Sequence, residues 1–315
     1  MKLATFDQGG ACRVGLVSDE GIHPVPWAIT LLELIEREAL AHAADAALGE
    51  HPIPLESVRL RPPLQPPAIR DFVTFERHVE GIARRFGDEV GPEWHEAPAF
   101  YFTNPRSLIG AFDDVRIPPG SQVFDFELEV AAVVGRAGSD LTPETAREHI
   151  IGYTVLNDWS ARDLQAREMR VKLGPAKGKD SASTLGPWLV TADELEPRRD
   201  AEGFLDLTMV VTRNGIEVGR DSLANMAWTF EEMLAYASRG TTVWPGDVLG
   251  SGTCGSGCLA ELWGRHGTAG LPPLAPGDVV TMTVDGLGTI SNKVVPGPDP
   301  VHIPAARAKC RGPRR

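Results

Sequence analysis

The sequence is poor in cysteine and tyrosine, short of basic residues and free of long apolar runs. Each shortage removes a class of protein. Four cysteines among 315 residues (Cys12, Cys254, Cys258, Cys310) are too scattered to make a disulfide framework. Cys254-x3-Cys258 lacks a second ligand pair at zinc spacing, and His266 alone adds little. No apolar stretch approaches the roughly 18 residues of a membrane span, and the opening MKLATFDQGGACRVG has no apolar signal-peptide core. Both absences point to a cytoplasmic protein with no membrane partner. Basic residues are outnumbered 31 to 43, a formal net charge of -12, which suits neither nucleic acid nor an anionic membrane. No G-x-S-x-G occurs, so a serine-hydrolase elbow has no support. The stretch Gly250 to Gly255 fits G-x-G-x-x-G in form. No helical pattern opens there and no strand–helix–strand unit leads into it, so dinucleotide binding is set aside.

Glycine and proline are abundant, at 33 and 26 residues, and 42% of the chain is hydrophobic. That combination describes a turn-rich globular protein with a sizeable core. Alternation over Lys2 to Phe6 and Val14 to Val17, around Gln8-Gly9-Gly10, predicts a β-hairpin. Helical spacing and good helix formers predict a helix over 31–48. Prolines then crowd 52–67, which reads as an extended linker. A small N-terminal α+β domain is therefore expected over 1–65. Beyond it come short strands, two of them entered through the Pro-Gly-Asp turns at Pro245 and Pro276. Helical patterns interrupt at 74–85, 143–149, 160–170 and 229–238. Strands and helices do not alternate regularly, so the fold class is α+β with a mainly β domain over 66–304. A basic tail over 305–315 is expected to fray.

The acidic run Phe124-Asp125-Phe126-Glu127-Leu128-Glu129-Val130, read as one strand, puts its apolar residues on one face and three carboxylates on the other. Their repulsion can be relieved by solvent or by a hard divalent cation such as Mg²⁺ or Ca²⁺, which prefers carboxylate oxygens. In Asn157-Asp158-Trp159-Ser160-Ala161-Arg162-Asp163-Leu164-Gln165, a helix starting near Asp158 would align Asp158, Arg162 and Gln165 on one stripe. That stripe is either a polar site at a strand end or an Asp cap with an ion pair. In Asp71-Phe72-Val73-Thr74-Phe75-Glu76-Arg77-His78, His78 shares the face of Asp71 if the segment turns helical. Ser251-Gly252-Thr253, with Glu261 beyond it, is the fourth constellation.

Taken in order, these pieces resemble the fumarylacetoacetate hydrolase family over residues 69–294. Asp71 and His78 resemble its metal-binding Asp and general-base His in D-F-x5-H. Glu127 and Glu129 resemble its E-x-E metal pair, and Asp158 its fourth metal carboxylate in N-D-W-S-A-R-D-x-Q. Arg162 and Gln165 then fall on the substrate-polarising Arg and Gln. Lys179 matches the active-site Lys of L-G-P-x-x-G-K, Thr253 the substrate-contacting Thr, and Glu261 the residue that orients the His. Val73 and Met169 stand where fumarylacetoacetase has substrate-contacting tyrosines. That enzyme's further substrate Arg has no match at the same spacing; Arg84 and Arg85 are the nearest.

The resemblance implies a twisted β-roll, a homodimer, and one Mg²⁺ or Ca²⁺ (or Mn²⁺) held by Asp71, Glu127, Glu129 and Asp158. It implies carbon–carbon hydrolysis of a small β-diketo acid such as an acylpyruvate. His78 and Glu261 would activate water, while Lys179, Arg162 and Gln165 would stabilise the oxyanion and the departing enolate. A lyase or isomerase of the same family, acting on oxaloacetate-like or hydroxymuconate-like acids, is the main rival. A metal-stabilised binder without turnover is the more distant one, because it would need neither the base nor its orienting Glu.

Overall fold

Runs rich in β-branched residues, buried along almost their whole length, form the middle of the molecule: Leu128–Val134 and Ile150–Asp158. The computed structural model, which describes residues 1–267 and 270–307, places them side by side in an 11-stranded sheet. The sheet runs Gly21–Pro24, Ala11–Ser18, Lys2–Gln8, Ser183–Thr191, Ile150–Asp158, Leu128–Val134, Val248–Gly250, Ile69–Phe72, Phe100–Thr103. Along this path only the Val248–Gly250 and Ile69–Phe72 pair is parallel. A second sheet of five strands runs Ile216–Ser222, Thr208–Arg213, Val279–Val284, Gly288–Val295, Val115–Arg116. Its buried Met209, Val211, Met282 and Ile290 share one core with Val130, Ala132, Tyr153 and Val155 of the first sheet. The α+β class and its β-rich core are as expected, and both Pro-Gly-Asp turns lead into strands.

The N-terminal strands continue the main sheet, with Leu3 paired to Leu189, and their Leu3 and Val14 pack with Ala131, Val133 and Leu156. The proline-crowded stretch packs against the same part of the sheet, where Arg59–Leu60 pairs with Lys2–Gln8 and Leu64 is buried. The expected helix over 31–48 is two helices, Leu31–Glu36 and Leu40–Ala47, parted by Glu38 at φ 50. The break lets Leu31, Leu34 and Ile35 face the same core as Leu40, Ala43 and Ala47. The four later helical patterns appear as Glu76–Phe86, Pro143–Ala146 (continued by a 3-10 turn), Arg162–Arg170 and Phe230–Ser238. Residues 308–315 of the expected tail lie outside the described residues. Among the described residues no helix is long and apolar enough to cross a membrane.

Two expectations near the acidic segment fail for one reason, which is local strand pairing. Phe124–Asp125 pairs with Ser160–Ala161, whereas Leu128–Val134 pairs with Ile150–Asp158. The acidic run is therefore two strands joined at Phe126-Glu127, not one strand with an acidic face. Likewise Asp158 ends a strand, and the helix starts only at Arg162. A helix not anticipated, Leu259–His266, follows the glycine-rich segment after Thr253.

Candidate active site

Strand register gathers the carboxylates. Asp71 lies between Gly250 on one neighbouring strand and Tyr101 on the other. A Cβ on Gly250 would come within 2.4 Å of Asp71 Oδ1, so only glycine allows the carboxylate to lie there. Glu127, at the join, donates its backbone N–H to the Asn157 side chain at 2.9 Å, next to Asp158. Asp71, Glu127 and Glu129 place oxygens within 4.8 Å of one another, all buried. Asp158 joins through shared donors. Lys179 Nζ donates to Asp158 Oδ2 at 2.6 Å and to Glu127 Oε2, and Tyr101 donates to Asp158 Oδ2 and, at 3.1 Å, to Asp71 Oδ2. Thr253 Oγ1 donates to Glu129 Oε1 at 3.4 Å.

Arg162 closes the cluster from the helix side, with Nη2 at 2.7 Å from Glu127 Oε1 and 2.8 Å from Asp125 Oδ2. Its Nη1 donates to the Gln165 side-chain oxygen at 3.1 Å. Of the predicted set, Arg162 and Gln165 thus touch directly, while Asp158 is linked to Arg162 through Lys179 and Glu127, by strand end and helix start and not on one helical stripe. Asp125, the third carboxylate of the acidic run, points elsewhere. It accepts from the backbone N–H groups of Leu259 and Ala260 at 2.8 and 2.9 Å, capping the unanticipated helix.

That helix carries Glu261, and helix Glu76–Phe86 carries His78. They cross closely because a Cβ on Gly264 would meet the Gly81 carbonyl at 2.1 Å, and one on Gly81 would meet Glu261 Cγ at 2.3 Å. His78 Nδ1 consequently lies 3.4 Å from Glu261 Oε2, with both residues buried. Glu261 is itself held by Arg265 Nε at 2.9 Å and the Ser256 N–H at 2.7 Å.

Burial, then the neighbouring Asp158, pushes the Asp71 carboxyl up to about 8. Burial, with Asp71 and Glu127, raises Glu129 well above its usual range, and burial raises Asp158 against the pull of Lys179. Glu127 goes the other way: burial would raise it, but Arg162 and Lys179 hold it below the ordinary carboxylate range. Burial opposes the charge on Lys179, and Asp158 and Glu127 outweigh it, so the ammonium stays protonated. Asp71 Oδ1, Glu129 Oε2 and Asp158 Oδ1 are buried oxygens with no hydrogen-bond donor among the described residues. Acceptors left this way cost free energy unless a cation meets them. An all-oxygen set of this kind fits a hard divalent ion.

A cleft of about 320 Å³ is lined by Tyr101, Phe102, Thr103, Asn104, Lys177 and Lys179, and so shares with the cluster the Tyr101 and Lys179 that donate to its carboxylates. Met169 is exposed toward the end of helix Arg162–Arg170, outside the buried cluster. Val73 is half-buried, and its carbonyl accepts from Trp94 Nε1 at 2.9 Å. Arg84 pairs loosely with Glu80, whereas Arg85 stacks over Trp263 at 4.7 Å. Sequence reasoning missed Tyr101 and Arg265. Neither lies in a polar string; Tyr101 is reached only through cross-strand pairing and Arg265 only through the hidden helix.

Comparison with known proteins gives the same family by sequence and by fold. The chain is 33% identical to the fumarylacetoacetase of Arabidopsis thaliana, over 72% of this chain and 69% of that protein. It is 30% identical to the oxaloacetate tautomerase YisK of Bacillus subtilis, over 93% and 100%. The solved fumarylacetoacetate hydrolase of Exiguobacterium antarcticum superposes with a TM-score of 0.74 at 29% identity, covering 94% of this chain and all of that one. Residues 68–295 match the family described as Fumarylacetoacetate (FAA) hydrolase C-terminal, and the chain belongs to that family of enzymes.

Proposed function

We propose that the protein is a divalent-cation-dependent hydrolase that cleaves a carbon–carbon bond in a β-diketo acid, an acylpyruvate or a fumarylacetoacetate-like compound. The observation that carries this reading is the buried His78–Glu261 pair beside a carboxylate cluster that also holds a protonated lysine. Asp71, Glu127, Glu129 and Asp158 would hold Mg²⁺, Ca²⁺ or Mn²⁺, which when bound supplies Lewis acidity at a keto oxygen and orients the substrate. With Nδ1–H donating to Glu261, His78 presents Nε2 as a base and takes a proton from water. The water oxygen bonds to the carbonyl carbon. The carbon–carbon bond then breaks, its electron pair passing to the leaving fragment as an enolate. Lys179 and Arg162 lie where that negative charge develops, with Gln165 beside Arg162 and Thr253 on the cluster wall. The imidazolium returns its proton to the enolate carbon. Val73 and Met169, in place of tyrosine hydroxyls, would shift substrate choice away from fumarylacetoacetate. A cytoplasmic homodimer acting on a small keto acid belongs to the same proposal.

A second reading, keto–enol tautomerisation of an oxaloacetate-like acid, is favoured by the end-to-end correspondence with the Bacillus subtilis tautomerase. It uses the same base and enolate but needs no attacking water. Offering acylpyruvates, fumarylacetoacetate and oxaloacetate with Mg²⁺ or with EDTA, and identifying the products, separates the two. A carboxylic acid and a shorter keto acid, formed only with the cation, are expected. Keto–enol exchange without bond cleavage would replace hydrolysis by tautomerisation, and no cation-dependent turnover on any of these acids would sink both.

A further inference from the structure

Cys258 belongs neither to the carboxylate cluster nor to the His78–Glu261 pair, yet it lies against both. It is fully buried and carries a free thiol. As the residue preceding helix Leu259–His266 it accepts the Glu261 N–H at 3.4 Å, which fixes the sulfur in place. The sulfur stands 3.8 Å from His78 Nδ1. Ligand atoms of His78, Glu127 and Cys258 all lie within 4.8 Å of one another. Each of the three residues is more than nine-tenths buried. Sulfur and nitrogen ligands of one tetrahedral zinc ion, at bond lengths of about 2.3 and 2.1 Å, are about 3.6 Å apart. The observed spacing is close to that without any movement of the backbone.

We propose that Cys258, His78 and Glu127 form a second, softer cation site, suited to Zn²⁺, whose occupation switches the catalytic base off, a consequence that rests on the reading of His78 as that base. The donor set decides the selectivity: a thiolate, an imidazole and one carboxylate favour Zn²⁺, whereas the oxygen-only set around Asp71 and Glu129 favours Mg²⁺ or Ca²⁺. Binding replaces the Cys258 thiol proton, which leaves to solvent, and forms the sulfur–zinc bond. Coordination at His78 Nδ1 displaces the hydrogen that Glu261 accepts and leaves the ring with its hydrogen on Nε2. The nitrogen that would take a proton from water then has no lone pair to offer. Glu127 is common to both donor sets, so zinc and the hard cation compete.

Co²⁺ is the probe, because a cobalt–thiolate bond gives an intense ultraviolet charge-transfer band that cobalt bound by oxygens lacks. Titrating Co²⁺ into the metal-free full-length protein should raise this band to a plateau of one thiolate per chain, and Zn²⁺ should then erase it. Cys258→Ser, which keeps a capping oxygen, should lose the band; Cys254→Ser, altering the other buried thiol, should retain it. No thiolate band in the unaltered protein would overturn the proposal without recourse to any variant. So would a band that survives in Cys258→Ser or disappears in Cys254→Ser.

Discussion

At Glu127 one carboxylate meets a guanidinium and an ammonium, with Arg162 on one oxygen and Lys179 on the other. Replacing it by alanine removes a cation ligand and takes one carboxylate from each of two buried positive charges, leaving Arg162 with Asp125 and Lys179 with Asp158. Breaking a buried pair costs about 3–5 kcal/mol, part of it offset here by relieved repulsion at Asp71 and Glu129. Glu127→Ala should therefore bind no Mg²⁺ in calorimetry and melt below the parent; unchanged Mg²⁺ affinity would remove Glu127 from the site. His78 poses a separate question, since it touches Glu261 and not the three donor-less oxygens. His78→Ala should leave Mg²⁺ affinity nearly intact while kcat falls by about 10²–10⁴-fold. Glu261→Gln should cost less and add little to His78→Ala, because the pair acts as one unit. Fully multiplicative losses in the double variant would mean that Glu261 works apart from His78.

Among the elements, the helix pair Glu76–Phe86 and Leu259–His266 sets that dyad, and its closeness depends on glycine at both crossing positions. Gly81→Ala would push a methyl into Glu261 Cγ and part the helices. Crowding of this sort costs about 1–3 kcal/mol. The expected result is a lower melting temperature and a lower kcat, with Mg²⁺ affinity unchanged because the carboxylates sit on strands and on the Phe126-Glu127 join between two of them, not on either helix. An unaltered kcat in Gly81→Ala would show that the crossing distance does not govern the base. The same helix explains why reading the acidic run as one face misplaced Asp125. Its carboxylate is spent on the N–H groups of Leu259 and Ala260, and no alternation rule on one strand reports a helix more than a hundred residues away.

For the whole molecule the largest unmet demand is charge. Asp71 and Glu129 keep raised pKa values when no cation is bound, so folded protein holds protons that the unfolded chain releases. That contribution to stability is complete below about pH 4 and disappears as pH climbs through the raised value near 8 at Asp71. A divalent cation takes the place of those protons. The gap in melting temperature between Mg²⁺-loaded and EDTA-treated protein should therefore widen from about pH 5 to about pH 9. A gap that is constant or narrows would show that the carboxylates are not titrating under the cation. The sequence by itself determined the fold class, the family and the polar strings bearing Asp71, His78, Glu127, Glu129, Asp158, Arg162 and Lys179, because local patterning and short-range motifs are written in neighbouring residues. It also marked the Pro-Gly-Asp turns, whose chemistry is local. Only the tertiary structure decided that Asp158 ends a strand, that Asp125 caps a helix, that Tyr101 bridges two carboxylates, and that Cys258 lies against His78. Each of those depends on which strands pair and which helices cross. Those contacts join residues tens to well over a hundred positions apart, beyond the reach of any local period.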